Sequence, residues 1–289
     1  MTYIHRRDLC WSFRELAQWT MGKIGRSWRH GVSFNEETIT ESLLLKLAER
    51  HSRRGLLIRA WTKPEEGTGT MATGGLPTGA DWDFWIRDWT GRGIHLRVQA
   101  KRQFRSGRYE SLNGAGHQIK DLRNNCGTAI PIYVFYNGPG PEWSMYPCTT
   151  RCWPDVLGPG AWGCAVAPVT AIPATDKPTP GDIALLRPWH CLVCPCPMTR
   201  GTGSLPVRIA SVLQLLYAGL GDTADVRFRD APALSFELSN NAPPWVQMLE
   251  KLPEAEDQLE MYLKNNGLHG VALIGESSPD AEDGEGHRD

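Results

Sequence analysis

Hydrophobic spacing divides the first half of the chain into short, well-marked elements. Residues 8–22, "DLCWSFRELAQWTMG", carry apolar groups at helical spacing, and residues 34–50, "FNEETITESLLLKLAER", do so more strongly. In the second stretch Leu43, Leu44 and Leu47 share one side, with Ile39 one turn earlier. Asn35 stands at the N-cap position and acids fill the first turn, which is how a helix start reads. "GLLIRAW", 55–61, predicts a short strand, and the Gly- and Thr-rich run 62–79 predicts loop. Residues 81–88 and 93–101 alternate at period two around "TGRG", a hairpin signal. Residues 108–125 suit a helix, with Leu112, Ala115, Ile119 and Leu122 on one face. "AIPIYVFY", 129–136, predicts a strand with Pro131 inside it.

Beyond residue 137 the periodicity loosens. Six of the eight cysteines fall in 137–200, among many prolines. Helices are expected at 204–220 and 243–265, the latter with Pro253 inside, and a strand at 270–274. Residues 275–289 read as an acidic disordered tail. The expected organisation is a basic helical segment (1–30), a compact α/β core (31–137), a Pro/Cys-rich and helical region packed on it (138–274), and the tail.

Strand alternation places charges where core would be expected. In 93–101, Ile94, Leu96, Val98 and Ala100 point one way, and His95, Arg97, Gln99 and Lys101 the other. In 81–86, Trp82, Phe84 and Ile86 share a face, with Asp81, Asp83 and Trp85 on its reverse. If the two runs pair, two carboxylates, an amide and an ammonium gather on one face. Carboxylate and amide oxygens are the hard ligands that Mg²⁺ takes, and a lysine beside them can orient water or stabilise developing negative charge. Trp85 would be free to stack on a base.

The order helix 34–50, strands 55–61, 81–88 and 93–101, helix 108–125, strand 129–136, with Gly79-Ala80-Asp81 and Gln99-Ala100-Lys101, resembles the PD-(D/E)XK nuclease superfamily. Its Mrr-like restriction endonucleases, with a Q-x-K third-strand motif, are the nearest flavour. "RVQAKR" and "RPWHCLVC" are also similar to an uncharacterised bacterial family found among antiviral defence genes. The resemblance spans roughly residues 30–137. It implies a restriction-endonuclease-like αβββαβ core, a mixed central sheet flanked by helices. It also implies Mg²⁺- or Mn²⁺-dependent hydrolysis of phosphodiester bonds, DNA before RNA, by a defence effector. Asp81, Gln99 and Glu37 (or its neighbour Glu36) would hold the metal, with Asp83 as a further ligand, and Lys101 would assist the attack. A non-catalytic nucleic-acid-binding or scaffold protein that kept the fold is the alternative.

Charge distribution bears on the partner. The net charge is −1, but residues 1–60 hold eleven Arg/Lys against six Asp/Glu, and 97–123 hold seven against two. Arg97, Arg102, Arg105, Arg108 and Gln118 are the candidates for nucleic-acid contact. Cys148, Cys152, His190, Cys191, Cys194 and Cys196 make a soft-ligand cluster of the kind that holds structural Zn²⁺. Otherwise the cysteines read as reduced thiols of a cytoplasmic protein, since "MTYIHRRDLCW" lacks an apolar signal core. No run is long enough to span a membrane, so partners are expected to be nucleic acid, a defence-system protein or a second copy of the chain. There is no P-loop, G-x-S-x-G, H-E-x-x-H or Rossmann fingerprint.

Overall fold

The computed structural model describes residues 6–52, 55–62, 79–110, 112, 114–145, 158–194, 203–219 and 236–277. The Gly/Thr-rich loop prediction (apart from its ends), Cys148, Cys152, Cys196 and the tail beyond residue 277 lie outside them. In chain order the elements are α1 (Arg6–His30), α2 (Glu36–His51), β1 (Leu56–Thr62), β2 (Trp82–Arg87), β3 (Gly93–Arg102), α3 (Gly114–Asn124), β4 (Ile130–Tyr136), β5 (Cys164–Pro168), β6 (Arg187–Pro188), α4 (Leu205–Ala218), α5 (Pro244–Glu250), α6 (Glu256–Asn266) and β7 (Gly270–Glu276). The fold is α/β: one seven-stranded mixed sheet, ordered β1-β7-β2-β3-β4-β5-β6, with helices on both faces.

The period-two pattern becomes a two-faced core. Trp82, Ile86, Leu96, Val98, Ile132 and Ala272 pack on one side with residues of α2 and α4, while Trp85, Tyr133, Phe135, Val271 and Leu273 pack on the other with residues of α3, α5 and α6. Trp85 is 1% exposed, so it is core and not a stacking platform. Pro131 is tolerated because β5 pairs only with 132–136, so on that flank the ring breaks no ladder. The expected helix 243–265 is two helices, interrupted at the turn that contains Pro253. The expected helix over 8–22 runs on to His30.

The larger correction concerns β7. Strands β1 and β2 are not neighbours: β7 lies between them, antiparallel to β1 and parallel to β2. Residues after 137 therefore complete the central sheet instead of only packing on it. Gly275 and Glu276, assigned from sequence to the tail, are strand, and Glu276 accepts the Leu205 amide at the start of α4 at 2.9 Å.

Strands β2 and β3 pair in the expected hairpin, Trp82 opposite Val98 through Arg87 opposite Gly93. Asp83 lies directly opposite Arg97. Arg97 Nε and Nη2 donate to the two Asp83 oxygens at 2.8 and 3.0 Å, its Nη1 reaches the Asn125 carbonyl at 2.5 Å, and His95 Nε2 sits 3.2 Å from Asp83 Oδ2. Burial alone would raise the Asp83 carboxyl, but His95 and Arg97 outweigh it and hold it below the usual carboxylate range. Two expectations fall here. Asp83, with 0% of its side chain exposed, has both oxygens taken and is not a metal ligand; Arg97 is a buried partner and not a phosphate contact.

Removing one member of a buried, hydrogen-bonded pair leaves the other charge uncompensated. Arg97→Met should cost about 3–5 kcal/mol in urea unfolding, and Asp83→Leu/Arg97→Met should recover most of it. A single-variant loss under about 1 kcal/mol would contradict the pairing.

Candidate functional site

The site forms where the start of β2 and the end of β3 meet the first turn of α2 and one side of α3. Gly79 makes it possible. Its φ is +66°, and a Cβ there would lie 2.4 Å from the Gln118 carbonyl and 2.7 Å from the Leu122 amide. Only glycine lets α3 come this close, which supplies the reason for the first letter of the G-x-D motif.

Two residues on, Asp81 is fixed at every polar atom of its backbone. Its N–H donates to the Val98 carbonyl at 2.9 Å, and its carbonyl accepts from His269 and Gly270 at 2.7 and 3.1 Å. Asp81 Oδ2 accepts the Ala100 amide at 2.8 Å and Gln99 Nε2 at 2.5 Å. Gln99 Oε1 in turn accepts Gln118 Nε2 at 2.7 Å. The Gln118 Oε1 at the end of this relay is buried without a hydrogen-bond partner.

Electrostatics mark Asp81 out. Burial pushes its carboxyl up to about 6; the Ala100 amide, Lys101 and Gln99 pull the other way, and Glu37 adds to the rise. Lys101 is held below its usual value by burial, while Asp81, Glu36 and Glu37 draw it back up. The first turn of α2 thus delivers two carboxylates to the strand ends. Glu36 Oε1 accepts the Arg102 amide at 3.1 Å, whereas Glu37 is the acid that acts on Asp81. Asn35 does not cap α2 with its side chain; its Oδ1 accepts from Ser33 Oγ instead.

Asp81, Gln99, Lys101 and the acids of α2 are therefore brought to one place. The other expected residues divide. Gln118, half-buried, orients Gln99 through its hydrogen bond, a role that helical spacing alone does not reveal. Arg102 lays its guanidinium over the Phe104 ring, 4.7 Å from the centroid. Arg108 donates to the Lys177 carbonyl at 2.9 Å, and Arg105 is exposed. In the proposed zinc cluster, His190, Cys191 and Cys194 are buried, but Cys194 is disulfide-bonded to Cys10, a residue outside the expected ligand set. This also corrects the reading of those two cysteines as reduced thiols. Among the described residues no three His, Cys, Asp or Glu side chains form a metal-binding group, and no helix is long and apolar enough to cross a membrane.

The chain belongs to a family of unknown function, DUF6615, whose model matches residues 9–280. No curated protein and no solved structure matches it.

A carboxyl whose folded pKa is raised gives up stability as pH climbs through its folded value. Below about 4 Asp81 is protonated folded or unfolded; above about 6 the folded protein carries the cost of the buried charge. Asp81→Asn keeps an oxygen for the Ala100 and Gln99 donors without that charge. It should raise stability near pH 8 by about 1–2 kcal/mol, less than the full shift implies because the residue keeps some contact with water. Thermal unfolding across pH should show the gain vanish by about pH 4; a gain that persists there would remove the charge as its cause.

Proposed function

We propose that the chain is a metal-dependent nuclease of the PD-(D/E)XK type. The observation that carries this reading is the meeting of Asp81, Gln99 and Lys101 on adjoining strand ends, in the field of Glu37. A purely structural acceptor at residue 81 would serve better as asparagine, since the carboxylate there must be ionised against burial and against Glu37. That cost is accounted for if the carboxylate serves a cation. The scaffold alternative offers no such account.

The donor set fits a hard divalent ion. Asp81, the Gln99 amide oxygen and Glu37 would hold Mg²⁺ or Mn²⁺, which when bound supplies charge neutralisation at the phosphate and a more acidic water. For the Gln99 oxygen to serve, its amide and that of Gln118 would turn together. Gln99 Nε2 would then donate to Gln118 Oε1, the atom now without a partner. Lys101, with its ammonium at the end of β3, stabilises negative charge developing on the phosphate oxygens. Burial lowers its pKa, and Asp81, Glu36 and Glu37 oppose that pull. The insertion of β7 leaves these relations intact: the β2–β3 pairing is kept, and the Gly270 amide at the start of β7 helps to anchor the Asp81 carbonyl.

Incubation of supercoiled plasmid with the purified chain and Mn²⁺ should give nicked and linear product, and EDTA should abolish it. Lys101→Ala should lower turnover about 10²–10³-fold with substrate affinity preserved. Mn²⁺ affinity, read by calorimetry, should fall about tenfold per pH unit below the Asp81 value of about 6 and level off above it. Wild-type protein that binds no Mn²⁺ and cuts neither DNA nor RNA would leave the scaffold alternative.

A further inference from the structure

A groove of about 680 Å³ opens between the second half of α1 and the turns at residues 138–140 and 158–160. Its lining includes Trp28, Arg29 and Arg105, and no Asp or Glu. Small residues shape its walls. Pro139 packs against Gly25 so closely that a Cβ there would sit 2.8 Å from the ring, and Gln18 does the same at Gly160. Gly22 leaves bare helix surface, with only the Arg26 guanidinium within 4 Å of where its Cβ would be. The benzo edge of Trp28 is pressed on Gly138, which leaves no room for a Cβ and holds the indole in place. A ring fixed before binding loses little entropy on stacking.

The two arginines differ from the others near the candidate site. Arg97, Arg102 and Arg108 are engaged by an acid, a ring and a carbonyl. Arg29 and Arg105 are exposed and make no side-chain hydrogen bond or ion pair among the described residues. Guanidinium pairs are the usual grip on a phosphate, and an indole is a platform for a base. The groove is large enough for a nucleotide-sized ligand. Its rims are also the chain segments that carry the candidate site. Arg29 stands in the last turn of α1, and the chain then runs through 31–35 to Glu36 and Glu37; Arg105 follows Lys101 on the turn after β3.

We propose that this groove holds a nucleotide unit of a single-stranded nucleic acid, its phosphate between Arg29 and Arg105 and its base on Trp28. The proposal takes its purpose from the nuclease reading, but its binding test stands apart from cleavage. A strand in the groove would be led along either rim to the Asp81 end of the hairpin.

The test is fluorescence anisotropy of a labelled oligothymidylate with the full chain in EDTA, across a salt series. Arg29→Ala and Arg105→Ala should each weaken binding about tenfold at low salt and reduce the salt slope by about 0.7. Trp28→Leu should weaken it about tenfold with the slope unchanged. Arg92→Ala, an exposed arginine at the far end of the hairpin, should change nothing. The proposal is overturned if Arg92→Ala weakens binding as much as the groove variants do. It is equally overturned if a duplex of the same length or an acidic peptide binds as tightly as the single strand, or if a free mononucleotide does. Strand binding that depends on these residues in a protein that never cuts would remove the nuclease reading and keep the groove. Normal Mn²⁺-dependent cleavage with unaltered strand binding in the variants would do the reverse.

Discussion

The pairing of Asp83 with Arg97 fixes the register on which every other feature of the site depends. A strand slipped by one residue turns all its side chains to the opposite face. Here the two residues lie directly across the β2–β3 hairpin and share two hydrogen bonds inside the protein, so a slipped hairpin would bury two unmatched charges. With that register held, Gln99 necessarily stands beside Asp81, and Lys101 follows on the same face. The pair lends its charges to alignment; Asp81, directly before β2, is held by amide donors and lies in the field of Lys101 and Glu37.

The two aspartates show how neighbouring positions acquire opposite characters. Both are enclosed. Asp83 is surrounded by a guanidinium and an imidazole and is easily ionised. Asp81 has amide donors, a lysine and an opposing glutamate, and is ionised only with effort. Groups pushed apart in this way by their surroundings are what active sites are built from.

Periodicity made most of the elements readable, because each strand keeps one face on a helix layer and the alternation has to be strict. It also put Asp81, Gln99 and Lys101 on a common face. It gave no means of telling Asp81 from Asp83, because alternation specifies a face and says nothing about which partner waits across the strand. The place of β7 was unreadable for a related reason. "GVALI" reads as a strand, but its neighbours, 56–62 and 82–87, are far away in the chain, and nothing local encodes that choice. The tie from Gln118 to Gln99 was unreadable because a helical glutamine looks the same whether it faces water or another amide. Gly79 carried the clue: a glycine before a strand acid marks a backbone that something else must approach.

The position of β7 has a consequence in time. Residues 270–276 fill the gap between strands made some two hundred residues earlier, so the sheet cannot close during the first part of synthesis. At ordinary ribosomal speeds roughly ten to thirty-five seconds separate the appearance of Lys101 from that of residue 276. Through that interval β1 and β2 each lack a neighbour on their inner edge, a state prone to wrong pairing. The Asp81 carbonyl meanwhile waits for the His269 and Gly270 amides that anchor it. A nascent chain therefore carries Asp81, Gln99 and Lys101 long before it can hold them in order, and the Asp81 carbonyl gains its anchors only when the last strand is in place.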